Sequence, residues 1–381
     1  MKIGIMTFWL SEDNYGQLLQ CFALQKYLRN AGHDAYIIRY DPKKDNLKTP
    51  FWRRILKVFN PVELYEFFSN KKKKKDDDWD NQNNPRYFED FRNKYIKQSE
   101  RIYFSYGELV KNPPEADIYI VGSDQVWNTF NGSINKIINK IKAYLLDFGS
   151  PSIKRIAYAA SFGKEMIDDA SIRVFTPLLK RFNYISVREK TGIDICKKCG
   201  IDNAEWAPDP TILLDADVYR SMYKNETIRK PERSYCFLYY LGNECDFSLQ
   251  SIYDWAERKN LEIIYITGNS RHDKFTKNYL TIPEWICLLE GSEYIITNSY
   301  HGVIFALLFE KKFGIIPLKG RDKSMNGRFD SLFELFKIEK RFMYSDLSVL
   351  DNDIDWPSVS AGFKMVGNTS KLPEITETIN G

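Results

Sequence analysis

The sequence predicts an α/β protein of two doubly wound, Rossmann-like lobes facing a cleft, and three observations carry that prediction. Short β-branched or aromatic runs alternate with helical periods in two separate series along the chain. A polar, charged stretch, Lys224 to Pro231, lies between the two series and reads as a linker. Several of the strand-like runs end in small or polar residues that open the next element, as parallel sheets require where backbone approaches a ligand.

The first series opens with Lys2 to Trp9 as a buried strand and Ser11 to Gly16 as a polar loop. Gln17 to Arg29 follows with helical spacing through Leu18, Leu19, Phe22, Ala23, Tyr27 and Leu28. Gly32 ends that helix, and Ala35 to Tyr40 supplies the next strand before Asp41-Pro42. Residues from about 43 to 110 interrupt the pattern and read as an insertion. Phe51 to Phe68 is apolar, aromatic and basic there, and Lys71 to Asp78 is a charge block that cannot pack, expected as a mobile surface loop. Strand-forming runs resume at Ile118–Val121, Tyr144–Leu146, Arg155–Ala159 and Tyr184–Val187, with helices at Glu165–Phe182 and Lys190–Lys198. The second series places strands at Tyr235–Leu241, Glu262–Thr267, Tyr294–Thr297 and Phe313–Pro317. Helices near Ser248–Arg258 and Pro283–Glu290 and at Val303–Phe309 separate them. The implied division is an N-terminal lobe over 1–223, a C-terminal lobe over 232–345 and a tail over 346–381 that packs back across the lobes.

Composition narrows the class. Hydrophobic content of 43% and charged content of 28% are ordinary for a globular chain, and the net charge of +4 does not argue for nucleic acid. The charge is uneven: eleven Lys/Arg face three acids between Lys43 and Lys75, leaving the rest slightly acidic. Met1-Lys2 runs straight into a strand rather than an apolar signal, and no stretch reaches the roughly 18 apolar residues that span a bilayer. A soluble, cytoplasmic protein is expected. Six cysteines fit a reducing compartment. Cys196 and Cys199 form C-K-K-C without the second pair that zinc needs, Cys21, Cys236 and Cys287 sit in core-like contexts, and Cys245 sits in a loop-like one, so no metal is expected. Glycine-rich dinucleotide and phosphate-loop fingerprints are absent, as are H-E-x-x-H and G-x-S-x-G.

The most informative stretch is Tyr294 to Phe309. A β-branched run leads to Asn298 and Ser299, both capping types, and then to a helix whose first turn holds His301. Free backbone N–H groups and the positive helix end attract anions at such a place, and an imidazole there suits acid/base work. A capping or core histidine is the competing reading. The other two histidines, His33 and His272, lie in loop-like contexts. Strand ends of the first series add Asp13-Asn14-Tyr15-Gly16, Gly122-Ser123-Asp124, Ser161-Phe162-Gly163, Arg188-Glu189 and Asp209-Pro210-Thr211. Each alone is an ordinary turn or cap, and their joint placement at the carboxyl ends of one sheet suggests a cleft lining.

Taken together, N-Y-G-Q-L-L-Q-C-F-A-L-Q, G-S-D-Q-V-W-N, Y-A-A-S-F-G, I-S-V-R-E, P-D-P-T and T-N-S-Y-H-G-V-I-F-A-L, in this order, resemble the polysaccharide pyruvyl transferases over most of the chain. The resemblance implies a fold similar to the two-lobed GT-B glycosyltransferases. It also implies transfer of the enolpyruvyl unit of phosphoenolpyruvate onto two sugar hydroxyls of a surface or capsular polysaccharide precursor, giving a cyclic ketal and phosphate. His301 matches the family's donor-contacting acid/base histidine and Arg188 an arginine that grips the donor's anionic groups. Many members carry arginine two residues before the histidine, where this chain has Ser299, leaving Lys164, Arg271, Arg321 or Arg328 to replace it.

The candidate catalytic set is therefore His301, Asp124 and Asp209, the two carboxylates orienting the imidazole or accepting the hydroxyl proton. The candidate donor set is Arg188, Asn14, Tyr15, Gly16, Ser123, Ser161, Gly163, Asn298, Ser299, Tyr300 and Gly302. Phosphoenolpyruvate serves as co-substrate with no cofactor, and the acceptor is a saccharide, either free or lipid-linked. In the lipid-linked case, the basic, aromatic Phe51–Phe59 would rest on the inner face of an anionic membrane. The favoured reading of it is a subdomain helix whose apolar face packs on the N-terminal lobe. A nucleotide-sugar glycosyltransferase of the same architecture and a non-catalytic glycan-binding protein are the competing readings.

Overall fold

The computed structural model describes residues 1–43, 75–129, 134–242, 247–269, 271, 273–318, 326–344, 346–369 and 372. Phe51 to Phe68, Lys71 to Lys74, Cys245, His272 and Arg321 lie outside them, and with them the membrane-contact and lysine-block expectations.

Strands β1 (Lys2–Met6), β2 (Asp34–Tyr40), β3 (Gln98–Tyr103), β4 (Ile118–Val121), β5 (Lys154–Ala160), β6 (Tyr184–Val187) and β7 (Glu205–Trp206) form one parallel sheet in the order β3-β2-β1-β4-β5-β6-β7. Strands β8 (Tyr235–Tyr240), β9 (Glu262–Thr267), β10 (Tyr294–Thr297) and β11 (Lys312–Ile315) form a second, also parallel, in the order β11-β10-β8-β9. Buried β-branched and aromatic residues dominate the central strands of both, because helices cover each face. Strand order reverses between β1 and β4 in the first sheet and between β8 and β10 in the second. Ligands of open parallel sheets bind outside the strand ends at such reversals.

Local signals account for the elements that matter. Asn14 caps the helix Tyr15–Asn30 by accepting from Gln17 N (3.3 Å), and Gly32, at φ +87°, lets the chain leave it. Thr281 and Glu284 form a capping box on the helix Ile282–Gly291. The two lobes share a core. Tyr15 stacks on Trp285 at 5.4 Å and exchanges hydrogen bonds with Leu280 through its hydroxyl (2.7 and 3.1 Å), which joins the first helix to the second lobe. The terminal helix, Trp356–Thr369, packs against the helix Arg328–Phe336 and also against the short 3-10 turn Pro210–Leu213 of the first lobe.

Three expectations need correction. Tyr144–Leu146 is no strand: Tyr144 closes the helix Ile134–Tyr144, whose amphipathic pattern ends in an apolar run. The supposed insertion does not extend to residue 110, because Gln98–Tyr103 pairs with β2 as the edge of the main sheet. Asp76 to Asp78 at the end of the charge block is helical rather than loop. The segment beyond them straps the two lobes together. Arg86 donates to Asn269 Oδ1 (2.7 Å) and Thr267 O (3.0 Å), and Tyr279 donates to Asp80 Oδ1 (3.1 Å). Among the described residues, no helix is long and apolar enough to cross a membrane.

Candidate active site

Asp209 is the hub of a buried polar cluster where the strand ends converge. Its Oδ1 accepts from Thr211 N (3.0 Å) and Thr211 Oγ1 (2.7 Å), the N-capping geometry of the turn it opens. Its Oδ2 accepts from Ser123 Oγ (2.9 Å) and Arg188 Nη1 (3.2 Å) and lies 3.3 Å from His301 Nε2. The imidazole contact is close but poorly aligned, so Nε2 is enclosed without a straight hydrogen bond. Burial alone would raise the Asp209 pKa, yet His301, then Arg188, then the Thr211 N–H hold it well below the usual carboxylate range.

Arg188, next to β6, is fully enclosed. Its Nε donates to Glu189 Oε1 (3.0 Å) and its Nη1 also stands 3.9 Å from Asp124 Oδ1. Burial opposes its charge, but Glu189 and Asp209 outweigh burial and raise its pKa above the ordinary range. Ser161 Oγ donates to the same Glu189 oxygen (2.9 Å). Asp124 sits at φ +68°, a left-handed conformation unusual for aspartate, and its Oδ2 is enclosed without a partner.

His301 reaches this cluster from the other lobe. It occupies the first turn of the helix Tyr300–Leu308, whose cap is Ser299 accepting from Gly302 N (3.4 Å). The ring rests on Gly16: a Cβ there would stand 2.3 Å from His301 Nδ1, so only glycine lets the two helix starts meet. Gly302 likewise leaves room for Thr297, whose Oγ1 a Cβ at 302 would meet at 2.7 Å.

The structure thus brings Asp209, Asp124, Arg188, Ser123, Ser161, Gly16, Tyr300 and His301 together. It gives other candidates different work. Tyr15 is buried in the interlobe core with its hydroxyl committed to Leu280, so it is no donor contact. The Asn298 side chain bridges Leu241 N (2.8 Å) and Leu241 O (2.6 Å), pinning the end of β8. Ser299 is occupied as a cap, and Asn14 caps its own helix. Gly163, at φ +61°, packs against Gln125 and Asn128. The expectation that Arg188 grips the donor directly meets an enclosed guanidinium surrounded by three carboxylates. Its place is that of a positioning residue for Asp209 and Glu189. Among the suggested substitutes for Ser299, Arg271 is committed to Asp273 (2.8 Å) and Gly242 O (2.8 Å), and Lys164 donates to Thr129 Oγ1 (3.1 Å). Arg328 lies beside the cluster, its Nη2 donating to Asn298 O (3.1 Å). Sequence reasoning gave no site role to Glu189 or Thr211. Glu189 directly following Arg188, and Thr211 two residues after Asp209 in D-P-T, were the available signals.

Comparison with known proteins follows the same lines. Residues 14–319 match the sequence model of the polysaccharide pyruvyl transferases. The chain belongs to that family. This pyruvyl transferase family member is accordingly a transferase, and no curated protein matches it. Its fold is shared with a UDP-N-acetylglucosamine 2-epimerase from Rickettsia bellii, at 10% identity and a TM-score of 0.51 over 100% of this chain and 97% of the epimerase. A Streptomyces glycosyltransferase complexed with thymidine diphosphate aligns at 10% identity, covering 99% of both chains with a TM-score of 0.41. What this transferase shares with the epimerase is its α/β fold.

Proposed function

We propose that this transferase moves the enolpyruvyl group of phosphoenolpyruvate onto a saccharide of a surface polysaccharide precursor, forming a pyruvate ketal and releasing phosphate. The observation that carries the proposal is the Asp209–His301 contact across the lobes, 3.3 Å between Nε2 and Oδ2, at the meeting of both strand-order reversals.

The chemistry asks for a proton donor and acceptor in one place. The donor's methylene carbon takes a proton and becomes methyl, leaving an oxocarbenium-like centre that a sugar hydroxyl attacks. That hydroxyl gives up its proton, phosphate departs, and a second hydroxyl closes the ketal, its proton leaving with phosphate. His301 is the group for both proton movements. Asp209 holds the ring through Nε2 and stabilises its charged form. Asp124, with one unpartnered oxygen, is the second acceptor for a hydroxyl proton. Arg188 holds the carboxylates apart and in register.

A lipid-linked saccharide acceptor is compatible with the basic stretch near residue 53 of the sequence. Thermal shift separates this reading from a nucleotide-sugar enzyme and from a glycan-binding protein. Stabilisation by phosphoenolpyruvate and none by nucleotide sugars supports it, and the reverse pattern overturns it.

A further inference from the structure

Arg188 and Arg328 both lie against the Tyr300 ring, 4.6 and 6.0 Å from its centroid, yet their surroundings differ. Arg188 has the carboxylates of Asp124, Glu189 and Asp209 within 3.9 Å. Arg328 has no ion pair among the described residues. Its Nη2 meets only the neutral carbonyl of Asn298, its Nε is enclosed without an acceptor, and its guanidinium lies over Phe329 at 5.1 Å. Burial, and after it the charge of Arg188, pushes its pKa down to about 10.

The residue is nonetheless partly exposed. Gly327, just before it, faces the first lobe: a Cβ there would stand 3.6 Å from Glu165 Oε1, in the loop that follows Ser161 and Gly163. Lys164 of that loop adds a second cation nearby in sequence, although it already serves Thr129. A guanidinium largely withdrawn from water beside another cation, with Glu189 and Asp124 acting on it without a direct ion pair, is disfavoured on balance in the empty protein. Its planar fork is suited to a carboxylate or phosphate group.

We propose that Arg328 is the anion-docking residue of the cleft, taking a carboxylate or phosphate group of the donor between the Tyr300–His301 helix start and the Ser161–Glu165 loop. The identity of that donor rests on the pyruvyl-transfer reading above, whereas the anion site rests on the geometry of Arg328. With Arg188 already paired, Arg328 is the arginine among the described residues of the cluster whose charge is left for a ligand, and binding there sets the anion beside His301.

The test is calorimetric titration of the full chain and its Arg328→Gln and Arg328→Lys variants with phosphoenolpyruvate, pyruvate and inorganic phosphate at fixed ionic strength. Arg328→Gln is expected to weaken phosphoenolpyruvate roughly 10- to 100-fold, with Arg328→Lys in between. Without ligand, Arg328→Gln should melt no lower than the parent, because it removes a charge that burial disfavours. Pyruvate and phosphate tell which end of the donor the guanidinium holds: the arm that loses affinity with Arg328→Gln is the one it binds. Unchanged phosphoenolpyruvate affinity in both variants overturns the proposal. So does a ligand-free melting point for Arg328→Gln well below the parent's, which would make the residue structural. If the parent ignores phosphoenolpyruvate but binds phosphate through Arg328, the donor reading fails and the anion site stands. If the parent binds none of the three anions, the anion site itself is wrong.

Discussion

The two lobes bring opposite chemistry to the same cleft. The first contributes Asp124, Glu189 and Asp209 gathered round one enclosed arginine, a cluster in which both Asp209 oxygens have donors and Asp124 Oδ2 has none. The second contributes Tyr300, His301 and Arg328, where His301 Nε2 and Arg328 Nε are enclosed without aligned partners. The N-terminal side is a scaffold complete but for Asp124 Oδ2, and the C-terminal side leaves a ring nitrogen and a guanidinium nitrogen without aligned partners. Reactivity therefore belongs to the seam, where Asp209 meets His301 over Gly16. Substitutions on the two sides should differ accordingly in the balance of stability and turnover lost.

The largest effect should come from His301→Ala. Turnover is expected to fall by roughly two to four orders of magnitude, the size of a lost acid/base group, and the melting point to fall as well, because a buried ring in contact with Asp209 is lost. Phosphate release by the purified, folded variant checks this, and near-parental turnover would place the reactive proton elsewhere.

Asp209→Asn should be the mirror case. It leaves Arg188 and His301 facing a neutral amide in a dry interior, a loss of about 3–5 kcal/mol on the scale of broken buried pairs. Urea unfolding measures it. The Asp209 pKa is depressed in the fold, so its contribution is fully present above the unfolded carboxylate value of roughly 4 and is lost as pH falls below that. The variant should therefore show a flatter acid limb in stability against pH, and an unchanged limb would remove Asp209 from the hub.

Gly16→Ala sharpens the comparison from the seam itself. The new methyl would overlap the imidazole, 2.3 Å from Nδ1, so the ring or the helix start must shift. A cost of about 1–3 kcal/mol and a turnover loss on the order of a hundredfold are expected. Stability and rate measured together would show whether ring placement, rather than helix integrity, is what suffers. Ser299→Ala should do least, removing one cap for roughly 0.5–2 kcal/mol with turnover largely kept.

Much of this was legible in the sequence because parallel sheets converge their strand ends. The caps and glycines after β1, β4, β5, β6 and β10 pointed to one cleft, and His301 stood out as the lone histidine at a helix start. What stayed hidden depended on tertiary partners. Nothing local says that Asp209 serves Arg188 and His301 at once, or that the polar groups of Tyr15 and Asn298 are used on Leu280 and Leu241. β3 escaped because Q-S-E-R-I-Y is a polar edge strand with no apolar run. Tyr144–Leu146 misled for the converse reason, an apolar helix end being indistinguishable from a short strand.

One assay bears on the whole account: phosphate liberated from phosphoenolpyruvate by the parent protein with and without a saccharide acceptor, with mass analysis of the glycan. Acceptor-dependent phosphate release, and a glycan heavier by one pyruvate ketal, is the predicted result. Nucleoside diphosphate released from a nucleotide sugar, with phosphoenolpyruvate untouched, would contradict it.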